Sequence, residues 1–143
     1  MVNLCENLLY NQRLAFNSIK PSVIPETPGV YLITFKKSRQ EIPFYVGRSK
    51  NLRRRIYTNH LMGSPKNARL KNYLIKDRTL KTVRTPLQAK AFIRENCFIR
   101  WITEEVYSKG LPDRTRHLYQ IRGLLESFVT SELFPKYGIY EEH

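Results

Sequence analysis

A chain of 143 residues has room for one domain with its own core, and 41% hydrophobic and 12% aromatic residues exclude a disordered polymer. Against 12 Asp and Glu stand 25 Lys and Arg, leaving a formal charge of +13 and a pI near 10.0. Such a surface attracts polyanions. With no apolar run long enough to span a bilayer and no basic amphipathic helix bearing an exposed Trp and Leu face, the expected partner is nucleic acid rather than membrane.

Cys5 and Cys97 stand far apart in no metal-binding spacing and read as small buried hydrophobes. The stretch from Met1 to Phe16 lacks the apolar block of a signal peptide, so the expected setting is intracellular and reducing. Leu4, Leu8, Leu9, Phe16 and Ile19 fall in loose helical spacing until Pro21, Pro25 and Pro28 stop it. This predicts a partly helical N-terminal extension over residues 1–27, ahead of a main domain over 28–143.

The run from Val30 to Phe35 and the run from Ile42 to Gly47 are β-branched and aromatic, with polar residues 36–41 between them, which predicts a β-hairpin. Asn51 is a good N-cap for a short basic helix in which Leu52 and Ile56 share a face and Arg53, Arg54 and Arg55 fan over the rest. Beyond Gly63 and Pro65, the spacing predicts helices over 66–76, through Leu70, Tyr73 and Leu74, and over 86–96, through Ala89, Phe92 and Ile93. Residues 97–102 read as a third strand. Asp113 is placed to cap a long helix over roughly 114–134, with Leu118, Ile121, Leu125 and Phe128 as its apolar stripe and Pro135 at its end. The fold class is α+β: a small three-stranded antiparallel sheet flanked by helices.

As bare elements, Tyr31 and Tyr45 are cross-strand aromatics and Arg55 is one unit of a solvated basic face. Their order says more. Gly29-Val30-Tyr31 on the first strand and Tyr45-Val46-Gly47 on the second are followed by Arg55, the eighth residue after Gly47, and by Leu124-Leu125-Glu126 nine residues before Pro135-Lys136-Tyr137. This ordered set resembles the GIY-YIG nucleases. The resemblance implies a DNA endonuclease that uses Mg²⁺ or Mn²⁺, with Glu126 as metal ligand, Arg55 on the phosphate, Tyr31 helping to activate water and Tyr45 positioning it.

The residue types suit that chemistry. Phosphodiester hydrolysis needs a deprotonated water and neutralisation of charge on the phosphoryl and leaving oxygens. Arginine offers a permanently charged donor fork that matches phosphate, and glutamate is the hard oxygen ligand that Mg²⁺ prefers. A tyrosine with an ordinary pKa near 10 is a poor base, so Arg55 and the metal would have to lower it.

Helical periodicity alone favours Glu132 as the unusual acid, nearer the middle of the apolar stripe, whereas spacing to Pro135 favours Glu126. His60 comes five residues after Arg55, where the family often has a His or Tyr at four, and is a candidate proton relay or else a surface histidine. Arg48, Lys50, Arg53, Arg54, Lys66, Arg69 and Lys71 are candidate phosphate contacts that carry no sequence information. Gly138 stands where the resemblance leads one to expect Asn. The basic helices and Trp101, between Arg55 and Glu126, suggest a substrate-binding elaboration. Two other readings stay open: a nucleic-acid-binding module without catalysis on the same scaffold, and a nuclease acting on RNA. No helix-turn-helix or zinc-finger signature points to a separate DNA-reading domain.

Overall fold

The computed structural model describes residues 2–63, 69–109, 118–133, 135 and 136. Helix α1 (Val2–Tyr10) is followed by a two-residue strand β1 (Leu14–Ala15), the long hairpin β2 (Gly29–Lys37) and β3 (Gln40–Ser49), and a π-helix (Arg54–Leu61). Then come α2 (Arg69–Lys76), α3 (Pro86–Asn96), β4 (Cys97–Thr103), α4 (Glu104–Ser108) and α5 (Leu118–Leu133). The strands form one antiparallel sheet in the order β1-β4-β2-β3.

The sheet therefore has four strands, not three. Residues 14 and 15, expected within a helical extension, leave the helix and pair with Ile99 and Phe98 at the outer edge of β4. Asp113 and Tyr137 lie outside the described residues, as do Lys66 and Gly138.

Alternation along β2 sends its side chains to two separate cores. Tyr31 and Ile33 join Tyr45, Leu52, Ile56, Leu70, Ile93 and Ile99 beneath the π-helix, α2 and α3. Val30 and Leu32 join Val46, Ile102, Leu8, Tyr107, Leu125 and Val129 beneath α1, α4 and α5. The sheet is covered on both faces, which is why β2 reads as nearly continuous apolar sequence. Cys5 and Cys97 are both buried free thiols.

The hairpin closes more tightly than the polar stretch suggested, with Lys37 paired to Gln40 around a two-residue turn in which Ser38 has a φ of 56°. The register slips once: Ile33 faces Tyr45 but Thr34 faces Pro43. Pro43 has no amide to give to the ladder, and Phe44 is the extra residue of a bulge. Phe44 and Tyr45, neighbours in sequence, consequently both enter the first core. Without that bulge, strand alternation would send Phe44 and Tyr45 to opposite faces.

Across the sheet from this bulge, Glu41 accepts from Thr34, from both terminal nitrogens of Arg100 and from Arg13. The bond from Arg100 is the main reason that its carboxyl is held at about 2, well below the ordinary carboxylate range. A depressed acid stabilises the fold above its unfolded pKa and loses that contribution as pH falls through the folded one. Glu41→Gln should thus cost about 2 kcal/mol at pH 7 and make stability less dependent on pH between about 4.5 and 2. Urea titrations of both proteins at pH 7 and pH 3 would show it, and an equal loss at both pH values would refute it.

Candidate active site

The site is built around the ring of Tyr31. On β2 it lies opposite Gly47 of β3 and Trp101 of β4, and its side chain is 0% exposed. A Cβ at Gly47 would sit 2.3 Å from the Tyr31 hydroxyl oxygen and 2.4 Å from Cζ. The glycine is there because the phenol crosses that backbone. Tyr45, 8% exposed, packs beside Tyr31 with ring centroids 6.2 Å apart and planes 23° from parallel.

The third side of the site comes from the helix after the hairpin. Asn51 caps it as expected, its Oδ1 accepting from the Arg54 amide at 3.0 Å. Arg55 then projects toward both tyrosines, its Nε donating to the Tyr31 hydroxyl at 3.4 Å. In an α-helix, at about 100° per residue, the fifth residue beyond Arg55 would point about 140° away. Here the helix is widened: the Met62 amide bonds to the Tyr57 carbonyl, five residues back, at 3.0 Å. This i→i+5 winding returns His60 to the face of Arg55.

His60 is 0% exposed, with Nε2 2.6 Å from the Tyr31 hydroxyl and its ring edge-on to both tyrosines. Burial, then the charges of Arg55 and Lys71, push its pKa down to about 3, so the imidazole is neutral at pH 7. Since Arg55 Nε–H occupies a lone pair of the Tyr31 oxygen, the phenol proton is assigned to His60 Nε2, which leaves the imidazole proton on Nδ1. That buried Nδ1 has no hydrogen-bond partner among the described residues. The phenol itself is shifted upward, chiefly by burial and then by Tyr45, against the opposing pull of Arg55. Arg55 does not by itself turn Tyr31 into a base.

Glu126 reaches the group from α5, on the other side of the sheet. Its side chain is 30% exposed, its charge is felt at Tyr31, and its Oε1 lies 3.8 Å from Nε of Arg48. Glu132 is exposed near the end of α5, close enough to Cys5 on α1 for its charge to help raise that thiol's pKa, after burial. The two acids occupy different parts of the helix surface. Among the described residues no group of three His, Cys, Asp or Glu gathers to hold a metal.

The expected phosphate contacts separate into kinds. Arg48, Lys50, Arg54 and Arg69 are exposed. Arg53 instead ties the helix to the preceding loop, donating to the Ile24 carbonyl at 2.8 Å and pairing with Glu26 at 3.2 Å. Lys71 is 2% exposed, and its ammonium donates to the Gly63 carbonyl at 2.6 Å, where it secures the end of the π-helix rather than tracking a phosphate backbone. Trp101, expected in a substrate-binding elaboration, packs against the first core. One residue escaped the sequence reading: Gly123, whose position inside α5 was the available signal, since glycine is a poor interior helix residue unless something approaches closely. A Cβ there would lie 2.1 Å from Nη1 of Arg48.

With the geometry in view, known proteins supply a comparison. The family model described as the UvrC-like GIY-YIG domain matches residues 27–104. UvrABC system protein C of Chlamydia abortus is 35% identical over 80 residues, which are 56% of this chain and 13% of that protein. The protein of the same name in Lawsonia intracellularis is 36% identical over 83 residues, 56% of this chain and 12% of its own length. That of Methanococcus maripaludis is 28% identical over 123 residues, 85% and 21% respectively. The chain thus spans about an eighth to a fifth of the length of these relatives. No solved structure matches it.

Proposed function

From the premise that the chain belongs to the UvrC-like GIY-YIG domain family, we propose that it is an endonuclease that hydrolyses phosphodiester bonds in DNA with the help of Mg²⁺ or Mn²⁺. The observation that carries this reading is the convergence of Tyr31, Tyr45, Arg55 and His60, with the carboxylate of Glu126 beside them and the exposed Arg48 at its edge.

The donor set fits a hard cation. One glutamate, with waters and a substrate phosphate completing the shell, is how Mg²⁺ is commonly held, whereas a zinc site calls for a cluster of nitrogen and sulfur ligands. When bound at Glu126, such a cation supplies charge neutralisation at the phosphoryl oxygen and lowers the pKa of water. Arg55 holds a further phosphate oxygen through a charge that it cannot lose.

Burial refines the tyrosine roles. Only Tyr45 of the pair keeps an edge toward solvent, so Tyr45 orients the attacking water, and Tyr31 stands behind it, its hydroxyl donating a hydrogen bond to His60 Nε2. Among the described residues no helix is long and apolar enough to cross a membrane. The charge of +13 and the reduced cysteines suit work on nucleic acid inside the cell.

The test is incubation with Mn²⁺, Mg²⁺ or EDTA on supercoiled plasmid, single strands, flaps and branched duplexes, with RNA counterparts in parallel. Metal-dependent nicking of DNA that EDTA abolishes is the expected result. Preferential cutting of RNA would move the assignment to an RNA-processing nuclease. The wholly buried Tyr31, with its raised pKa, joins Gly138 and the high charge in favour of the non-catalytic module, and salt-sensitive binding without cleavage in any metal would decide for it.

A further inference from the structure

We propose that Gly123 is a positioning residue for phosphate binding, an inference that rests on the nucleic-acid reading above. By carrying no side chain, it lets the guanidinium of Arg48 point its Nη1 end-on against α5 beside Glu126. The space for a Cβ at Gly123 is filled by Nη1 of Arg48, 2.1 Å away, while Nε of the same group lies 3.8 Å from Glu126 Oε1. Arg48 sits directly after Gly47, so the side-chain-free backbone beneath Tyr31 and the side-chain-free turn of α5 bracket one exposed arginine.

This placement gives Arg48 two partners. With nothing bound, it offsets the charge of Glu126. When a phosphodiester arrives, the long, partly exposed side chain has only to swing from the carboxylate to the phosphate, and it starts within reach of both. A methyl group at residue 123 displaces that guanidinium, because the obstructing atom is the far end of a flexible side chain and yields before the backbone does. The fold itself loses nothing, since alanine is the better helix former.

The experiment measures binding of a labelled random-sequence duplex, without divalent metal and over a range of salt, by the parent, Gly123→Ala, Arg48→Ala and the double variant. Gly123→Ala should keep or raise Tm, bind about tenfold more weakly, and lower the slope of log affinity against log salt by about one. The double variant should bind no more weakly than Arg48→Ala alone. Arg48→Lys on the Gly123→Ala background should bind as well as Arg48→Lys by itself, because the slimmer ammonium clears the methyl. Full additivity, unchanged affinity in Gly123→Ala, or a lowered Tm that marks a purely structural glycine would each overturn the assignment. A parent that binds no nucleic acid brings down the functional reading and this inference together, whereas a binding parent with an indifferent Gly123→Ala brings down this inference alone.

Discussion

Replacing Glu126 with alanine should reduce metal-dependent cleavage by about a thousandfold or more while leaving duplex binding equal to or slightly tighter than that of the parent. The two effects separate because, on the proposed function, the carboxylate serves the cation and not the DNA. Removing it takes away the proposed oxygen ligand for Mg²⁺ or Mn²⁺, but it also releases Arg48 from its ion pair and raises the net charge by one. The fold should survive, because the side chain is partly exposed and the buried stripe of α5 runs through Leu125 and Val129. Single-turnover cleavage in Mn²⁺ measures the first effect and titration of a labelled duplex the second. Glu132→Ala belongs in the same series, and its cleavage rate should match the parent. Were Glu132→Ala inactive and Glu126→Ala active, the metal ligand would be misassigned.

Gly47→Ala should be strongly damaging to the sheet, costing about 3 kcal/mol of stability. The same change at Gly123 meets the mobile end of an arginine, whereas here it meets a ring with nowhere to go. The new methyl would sit 2.4 Å from Cζ of Tyr31, which is wholly buried and held by Tyr45, Arg55 and His60. Either the hairpin opens or the ring tilts and breaks its bond to His60, so stability and site geometry fall together. Urea denaturation monitored by tyrosine fluorescence would reveal the shift in midpoint. A midpoint equal to the parent's would show that the ring can move aside.

Local chemistry made much of this fold legible. The capping side chain of Asn51, the hairpin and the helix over 86–96 rest on interactions within a few residues, and the structure has them where expected, the last with a Thr85 and Gln88 capping box. What stayed hidden depends on distant partners. Strand β1 exists because two residues meet Ile99 and Phe98 far along the chain. Lys71 reads as a surface cation until the Gly63 carbonyl and the packing around α2 are known. Of the candidate site, Tyr31, Tyr45 and Arg55 could be named in advance and the structure brings them together, but their depths could not be read. Strand alternation gives a side chain's face without its distance from solvent, and it is that distance that puts Tyr45 in front of Tyr31.

The widened turn between Arg55 and His60 also bears on how such sites tolerate change. A helix that can take up one more residue by loosening its winding acts as a length buffer: the insertion is spent on girth, and the functional groups at either end keep their mutual orientation. Here that winding keeps His60 on the face of Arg55 at a spacing of five. A lengthened segment at this point need not signal a decayed site.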